Sequence, residues 1–158
     1  KHDGLWGTFV WAMFDFASDN RNEGDRKGVN DKGLVTRNRT TKKDAFHFYQ
    51  ANWTKEPKLY LCSKRMGEPV LHLVGQRMTS VTNGTMTVMG FSNVGEVTLH
   101  VNGEEIGRAN PDRVSTVEWK GIPLKVGYNT IELKAGGMSE ACTWHWTPVR
   151  TAIGSLSK

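Results

Sequence analysis

Two hydrophobic rhythms divide the chain. Near its start Trp6, Phe9, Val10, Trp11, Met13, Phe14 and Phe16 crowd a strand-length segment that ends among Asp15, Ser18, Asp19, Asn20, Arg21 and Asn22. This density predicts a strand, and one that needs cover on its faces, because strongly apolar strands are not stable bare in water. A polar loop punctuated by Gly24, Gly28 and Gly33 follows over residues 18–33, and its length marks it as functional or mobile. Leu34, Val35 and Thr36 read as a short extended piece. Over residues 42–53 the repeat lengthens: Phe46, Tyr49 or Gln50, and Trp53 recur at three- to four-residue steps with Ala45 completing the apolar side, which predicts a helix. Strand, long loop and helix is the unit that closes a (β/α)8 barrel, with the loop on the catalytic face. Residues 1–57 are therefore expected to be the C-terminal end of such a barrel, incomplete in itself and partnered by barrel strands upstream.

From residue 58 to residue 147 the period falls to two. Leu59 and Leu61, residues 70–74, Met86 and Val88 within residues 85–91, and Val97, Leu99 and Val101 predict successive strands. Asn102-Gly103 lies between apolar alternations, the pattern of a two-residue hairpin turn whose two positions need positive φ, with residues 104–107 as the return strand. Val117 and Trp119, then Ile131, Leu133 and Ala135, then Cys142, Trp144 and Trp146 again occupy every second position. About seven or eight short strands separated by turn residues predict an immunoglobulin-like β-sandwich. The expected fold class is thus mainly β, a sandwich preceded by a strand-loop-helix barrel remnant, with residues 148–158 as a polar, fraying tail.

Hydrophobic residues at 37% and charged residues at 23% fit neither a membrane protein nor wholesale disorder. The apolar run over residues 4–17 contains Asp15 and is too short to span a bilayer, and no basic leader precedes it. The net charge of +5 invites a nucleic-acid partner, but the basic residues are scattered: Arg37, Arg39, Lys42 and Lys43 are the only dense group, and Asp44 follows at once. No nucleic-acid partner and no membrane span are expected. Cys62 and Cys142 are too few for a disulfide scaffold or a thiolate zinc site, which leaves a buried thiol or a single bridge between them. His47 and His145 neighbour aromatic residues, so packing is expected of them; no metal and no cofactor is expected.

Residues 7–16 (Gly-Thr-Phe-Val-Trp-Ala-Met-Phe-Asp-Phe), residues 30–36 (Asn-Asp-Lys-Gly-Leu-Val-Thr) and residues 42–46 running through Asn52-Trp53 resemble, in order, the end of the catalytic barrel of glycoside hydrolase family 2, near its bacterial β-galactosidases. Residues 97–107 and 123–132 resemble the immunoglobulin-like domain that follows that barrel. The resemblance implies a retaining exo-glycosidase, a β-galactosidase first, acting on a carbohydrate substrate in the full-length enzyme. It implies two catalytic glutamates on earlier barrel strands. The glutamates of this chain match neither motif, so no catalytic residue is expected within it and the isolated chain is expected to be inactive.

By the same resemblance Trp11 matches the tryptophan that closes one side of the sugar pocket, where a flat indole covers the apolar face of a hexose. Ala12 stands where the family usually has asparagine. Asn30 and Lys32 resemble the Asn-x-Lys pair that holds a sugar carboxylate in the glucuronidase branch, an ammonium and an amide making a reasonable anion clamp. Asp15 joins them as a residue that orients the strand end or caps a neighbouring group. Barrel packing for Trp11 and an ordinary surface loop for Asn30 and Lys32 are the competing readings. A carbohydrate-binding module using Trp119, Trp144 and Trp146 is the alternative function, and a purely structural sandwich a third. The compartment stays open, with a periplasmic or secreted bacterial parent enzyme favoured.

Overall fold

The computed structural model describes residues 4, 6–21, 27–62 and 84–146. It divides into two compact units, Lys1–Gln50 and Ala51–Lys158. The first unit holds two-residue strands β1 (Phe16–Ala17) and β2 (Val29–Asn30), which pair antiparallel, and most of helix α1 (Asp44–Trp53). Asp44 sits in the first turn of α1, where a carboxylate complements the helix dipole.

Two sequence expectations change here. The apolar segment at the start is not one long strand: only Phe16–Ala17 joins a ladder, and Phe14 makes a single parallel bridge to Val35. Apolar spacing alone cannot create a strand; its backbone groups also need a partner at every second residue. The expected apolar side of α1 is also incomplete, since Ala45 and Trp53 are exposed and Ala51 is the buried member.

In the second unit β3 (Leu59–Leu61), β4 (Thr85–Ser92), β5 (Val97–Val101), β6 (Glu104–Ala109), β7 (Thr116–Pro123), β8 (Gly127–Ala135) and β9 (Met138–Trp146) form two sheets. One has the order β3-β4-β7, the other β6-β5-β8-β9, and every pairing is antiparallel. The chain changes sheet between β4 and β5, β6 and β7, and β7 and β8, as in an immunoglobulin-like sandwich. Alternation does what the sequence predicts: Leu59, Leu61, Met86, Val88, Val117 and Ile122 face Val97, Leu99, Val101, Ile131, Leu133 and Trp144 in one core. The strand expected over residues 70–74 and the tail over residues 148–158 lie outside the described residues. Cys62 and Cys142 are thiols, not a disulfide.

Two glycines and three asparagines set the geometry. The Asn102-Gly103 turn has φ values of 53° and 88°, so both positions take the left-handed region that a two-residue hairpin demands. Gly90 lets the sheets approach: a Cβ there would lie 2.5 Å from Leu133 Cδ1 and 2.9 Å from the Tyr60 carbonyl oxygen. Asn129 is fully buried within β8, and its amide spends every donor and acceptor. Its Oδ1 accepts from Lys125 N–H at 3.0 Å and Asn102 Nδ2 at 3.1 Å, while its Nδ2 donates to the Lys125 and Gly127 carbonyls at 2.8 and 3.1 Å. Asn102 completes the link by accepting from Thr130 N–H at 3.1 Å. Asn93 secures the approach to β3, donating to the Thr54 and Glu56 carbonyls and accepting from Lys58 N–H at 2.8 Å.

The three sandwich tryptophans do not line up as an exposed row. Trp144 is buried in the core, and Trp119 and Trp146 are partly buried and pack against it. The outer face of the four-stranded sheet carries ion pairs instead, Arg108 with Glu105 at 2.7 Å and Lys134 with Glu132 at 3.2 Å.

Trp144→Ala is expected to cost roughly 3–5 kcal/mol in urea unfolding, and a loss under about 0.5 kcal/mol would contradict its core placement. Asn129→Ala, which strands the Lys125 and Gly127 carbonyls and the Lys125 N–H, should cost about 2–4 kcal/mol. The Ser139 hydroxyl, donating to Glu132 at 2.6 Å, is the main cause holding that carboxyl below its ordinary range, with Lys134 assisting. Folding thus lowers the Glu132 midpoint, so its contribution is complete above the ordinary glutamate range and is lost as pH falls through the folded midpoint. In Ser139→Ala the midpoint should rise, read by the carboxyl carbon shift in an NMR titration; an unmoved midpoint would remove Ser139 as the cause.

Candidate functional site

The candidate residues all fall in the first unit, where a short length of backbone pairing places them. Leu34 N–H donates to the Ala12 carbonyl and Val35 N–H to the Met13 carbonyl, both at 2.9 Å, and Asp15 N–H returns a bond to the Val35 carbonyl at 2.9 Å. On its other side this segment receives Lys43 N–H at the Leu34 carbonyl and donates from Thr36 N–H to Thr41, each at 2.9 Å. Val35, the middle residue, is buried. The turn over residues 36–41 is built on Asn38, whose Oδ1 accepts from both Thr36 and Thr40 hydroxyls at 2.7 and 2.9 Å. Arg39 takes positive φ there and lays its guanidinium 4.7 Å over the Phe14 ring.

Asp15 is almost fully enclosed, at 9% exposure, so its carboxylate must be met by donors. It accepts from Gly33 N–H at 2.9 Å and from Lys43 Nζ at 2.6 Å. Lys43 Nζ also donates to the Asp31 carbonyl at 2.5 Å. Gly33 comes so near the Phe14–Asp15 backbone that a Cβ would collide with it. Asn30, at the end of β2, is buried, and its Oδ1 accepts from Lys32 N–H at 3.1 Å, an Asx turn that fixes the intervening residue. The structure thereby brings Asp15, Asn30 and the Lys32 backbone into one hydrogen-bonded turn, with the Lys32 residue exposed.

Trp11 precedes Ala12, whose carbonyl holds Leu34 N–H just after that turn. It is 72% exposed and meets Phe16 edge to face with ring centroids 6.0 Å apart. The Trp11–Ala12 peptide is cis. Trp6 and Phe9, at 88% and 85% exposure, form a second edge-to-face pair at 6.0 Å, so this segment presents flat aromatic faces rather than burying them. Lys43 and Gly33 are parts of the site that sequence reasoning did not single out. The signal for Gly33 was its adjacency to Asn30-x-Lys32; Lys43 lies 28 residues from Asp15, and no local pattern connects them. Among the described residues no group of three His, Cys, Asp or Glu side chains is placed to hold a metal, and no helix is long and apolar enough to cross a membrane.

No family model matches the chain. A β-glucuronidase of Bacteroides fragilis is 44% identical over 133 residues, which cover 84% of this chain and 18% of that protein. Among solved structures, an FMN-binding β-glucuronidase from Facaelibacterium prausnitzii L2-6 superposes with a TM-score of 0.74 at 32% identity, covering 93% of this chain and 20% of that one. A putative β-galactosidase from Bacteroides fragilis gives 0.71 at 28% identity, covering 87% and 19%. The chain thus spans about a fifth of the length of the proteins it resembles, and those proteins are glycosidases.

Because a Cβ at residue 33 meets backbone rather than a movable side chain, Gly33→Ala should break the Asp15 contact and accelerate amide exchange over residues 30–36 by about tenfold or more, leaving residues 97–101 and 127–135 unchanged. Unaltered exchange at residues 30–36 would show that the turn has other supports.

Proposed function

We propose that the chain belongs to a retaining β-glucuronidase of glycoside hydrolase family 2, in which residues 1–57 complete the catalytic barrel and residues 58–147 form the immunoglobulin-like domain. The observation that carries this reading is the Asn30-Asp31-Lys32 turn, built by the Asn30 amide and presenting an exposed Lys32, in a chain 44% identical to a β-glucuronidase. A uronic acid differs from a neutral hexose by one carboxylate, and a lysine ammonium is a compact point charge suited to recognising it. With its Oδ1 committed to the turn, Asn30 shapes the loop and Lys32 supplies the charge. Trp11 offers a flat, exposed indole for the apolar face of the sugar ring.

Catalysis in this proposal comes from two glutamates on barrel strands outside the chain, about 5–5.5 Å apart, one protonating the leaving group and the other forming the glycosyl intermediate. The partners of these residues are therefore the upstream barrel and a glycoside. A β-galactoside is the second reading, favoured by the 0.71 superposition on a putative β-galactosidase.

In the full-length enzyme, Lys32→Ala should lower kcat/KM for an aryl β-glucuronide by about 10-fold or more, the size of one charge-assisted hydrogen bond, and leave an aryl β-galactoside within about twofold. Equal activity of wild type and variant on both substrates would remove the carboxylate-recognition reading. Trp11→Ala should weaken capture of either glycoside several-fold, at about 1 kcal/mol, without lowering the melting temperature; unchanged efficiency would return Trp11 to a packing role. The 158-residue chain alone should turn over neither substrate.

A further inference from the structure

We infer that Asp15 and Lys43 are positioning residues that set substrate selectivity by bracing the 30–33 turn, rather than groups that touch the sugar. The inference rests on the glucuronide reading for its consequence in catalysis, but its geometry stands apart from it. The sequence sets Asp15 beside the candidate substrate residues as one that orients the strand end or caps a neighbouring group. In the structure its Oδ1 is taken by two donors, Gly33 N–H at 2.9 Å and Lys43 Nζ at 2.6 Å, and its enclosure leaves little of it for a ligand. Lys43 then reaches past it to the Asp31 carbonyl at 2.5 Å. One ammonium therefore bridges a carboxylate anchored beside β1 and the peptide unit in the middle of Asn30-Asp31-Lys32.

The bracing is mechanical. The turn is fixed on its N-terminal side by β2 pairing with β1 and by the Asn30 Oδ1 bond to Lys32 N–H. On its C-terminal side it is fixed by Gly33 N–H on Asp15 and by Leu34 N–H on the Ala12 carbonyl. Between these, Lys43 Nζ ties the Asp31 carbonyl. Removing the ammonium leaves a nearly enclosed carboxylate with half its donors, an expensive state, and frees the peptide just before Lys32. A point charge held on a flexible stem discriminates well only when the backbone beneath it is still, since misplacement of a binding group is lost directly from transition-state stabilisation.

The test uses Asp15→Asn and Lys43→Met, which keep side-chain volume while altering one partner, together with Lys32→Ala, in the full-length enzyme. The first readout is amide exchange at residues 30–34: both brace variants should exchange at least about tenfold faster there, with residues 97–135 unchanged. Unchanged exchange overturns the inference whatever the substrate. The second readout is selectivity. Each brace variant should raise KM for the aryl glucuronide about three- to tenfold with kcat within about twofold, and should add nothing further when combined with Lys32→Ala. Full additivity with Lys32→Ala overturns the bracing route, because it gives Asp15 and Lys43 an effect of their own. If Lys32→Ala leaves glucuronide selectivity intact while the brace variants loosen residues 30–34, the carboxylate reading fails and the brace survives as a structural device.

Discussion

A carboxylate taken out of water must be met by donors, and around residues 12–15, 30–36 and 43 the arrangement follows from how Asp15 meets that demand. Its position is set by backbone bonds between residues 12–15 and 34–35, so its oxygens point where the chain must return. Gly33 can bring an N–H to it because it has no Cβ to collide with residues 14–15. Lys43 can reach it because Lys43 N–H is itself tied to the Leu34 carbonyl. Lys43 is thus held by a second, backbone bond, and Gly33 is followed at once by Leu34, whose own N–H is tied to the Ala12 carbonyl.

The sandwich answers the same demand with neutral groups. Asn129 interrupts an apolar alternation at a position where burial would ordinarily select valine or isoleucine, and it is tolerated because all four hydrogen-bonding positions of its amide are filled. It joins the β7–β8 connection to the β5–β6 turn, a link that hydrophobic contact would leave unspecified. Apolar packing between Gly90 and Leu133 sets how near the sheets come, while Asn129 and Asn102 set which turns meet.

The sandwich was legible in the sequence because a period of two, read over many strands, survives local exceptions, and because Asn-Gly between alternations has one favoured backbone solution. What escaped was everything carried by long-range polar contacts. Asp15 and Lys43 are 28 residues apart, and Asn129 looks like a break in the pattern until Asn102 and Lys125 fold against it. The opening apolar segment misled for a related reason: hydrophobic density reports a need for cover, but the ladder that makes a strand belongs to two segments at once. The helix showed the same limit, since periodicity named Ala45 and Trp53 for burial without knowing which surface would meet them.

The hairpin turn also gives the molecule a chemical clock. Asparagine followed by glycine is among the more heat-labile pairs in proteins, because the next peptide nitrogen can attack the side-chain amide and expel ammonia. At Asn102, once water opens the resulting imide to the aspartate, the product would carry an oxygen where Nδ2 now donates to Asn129 Oδ1 at 3.1 Å, setting two acceptors against each other beside a buried side chain. Loss of the amide at Asn102 would therefore place a new charge at the β5–β6 tip and disturb, through Asn129, the Lys125 and Gly127 groups that Asn129 holds.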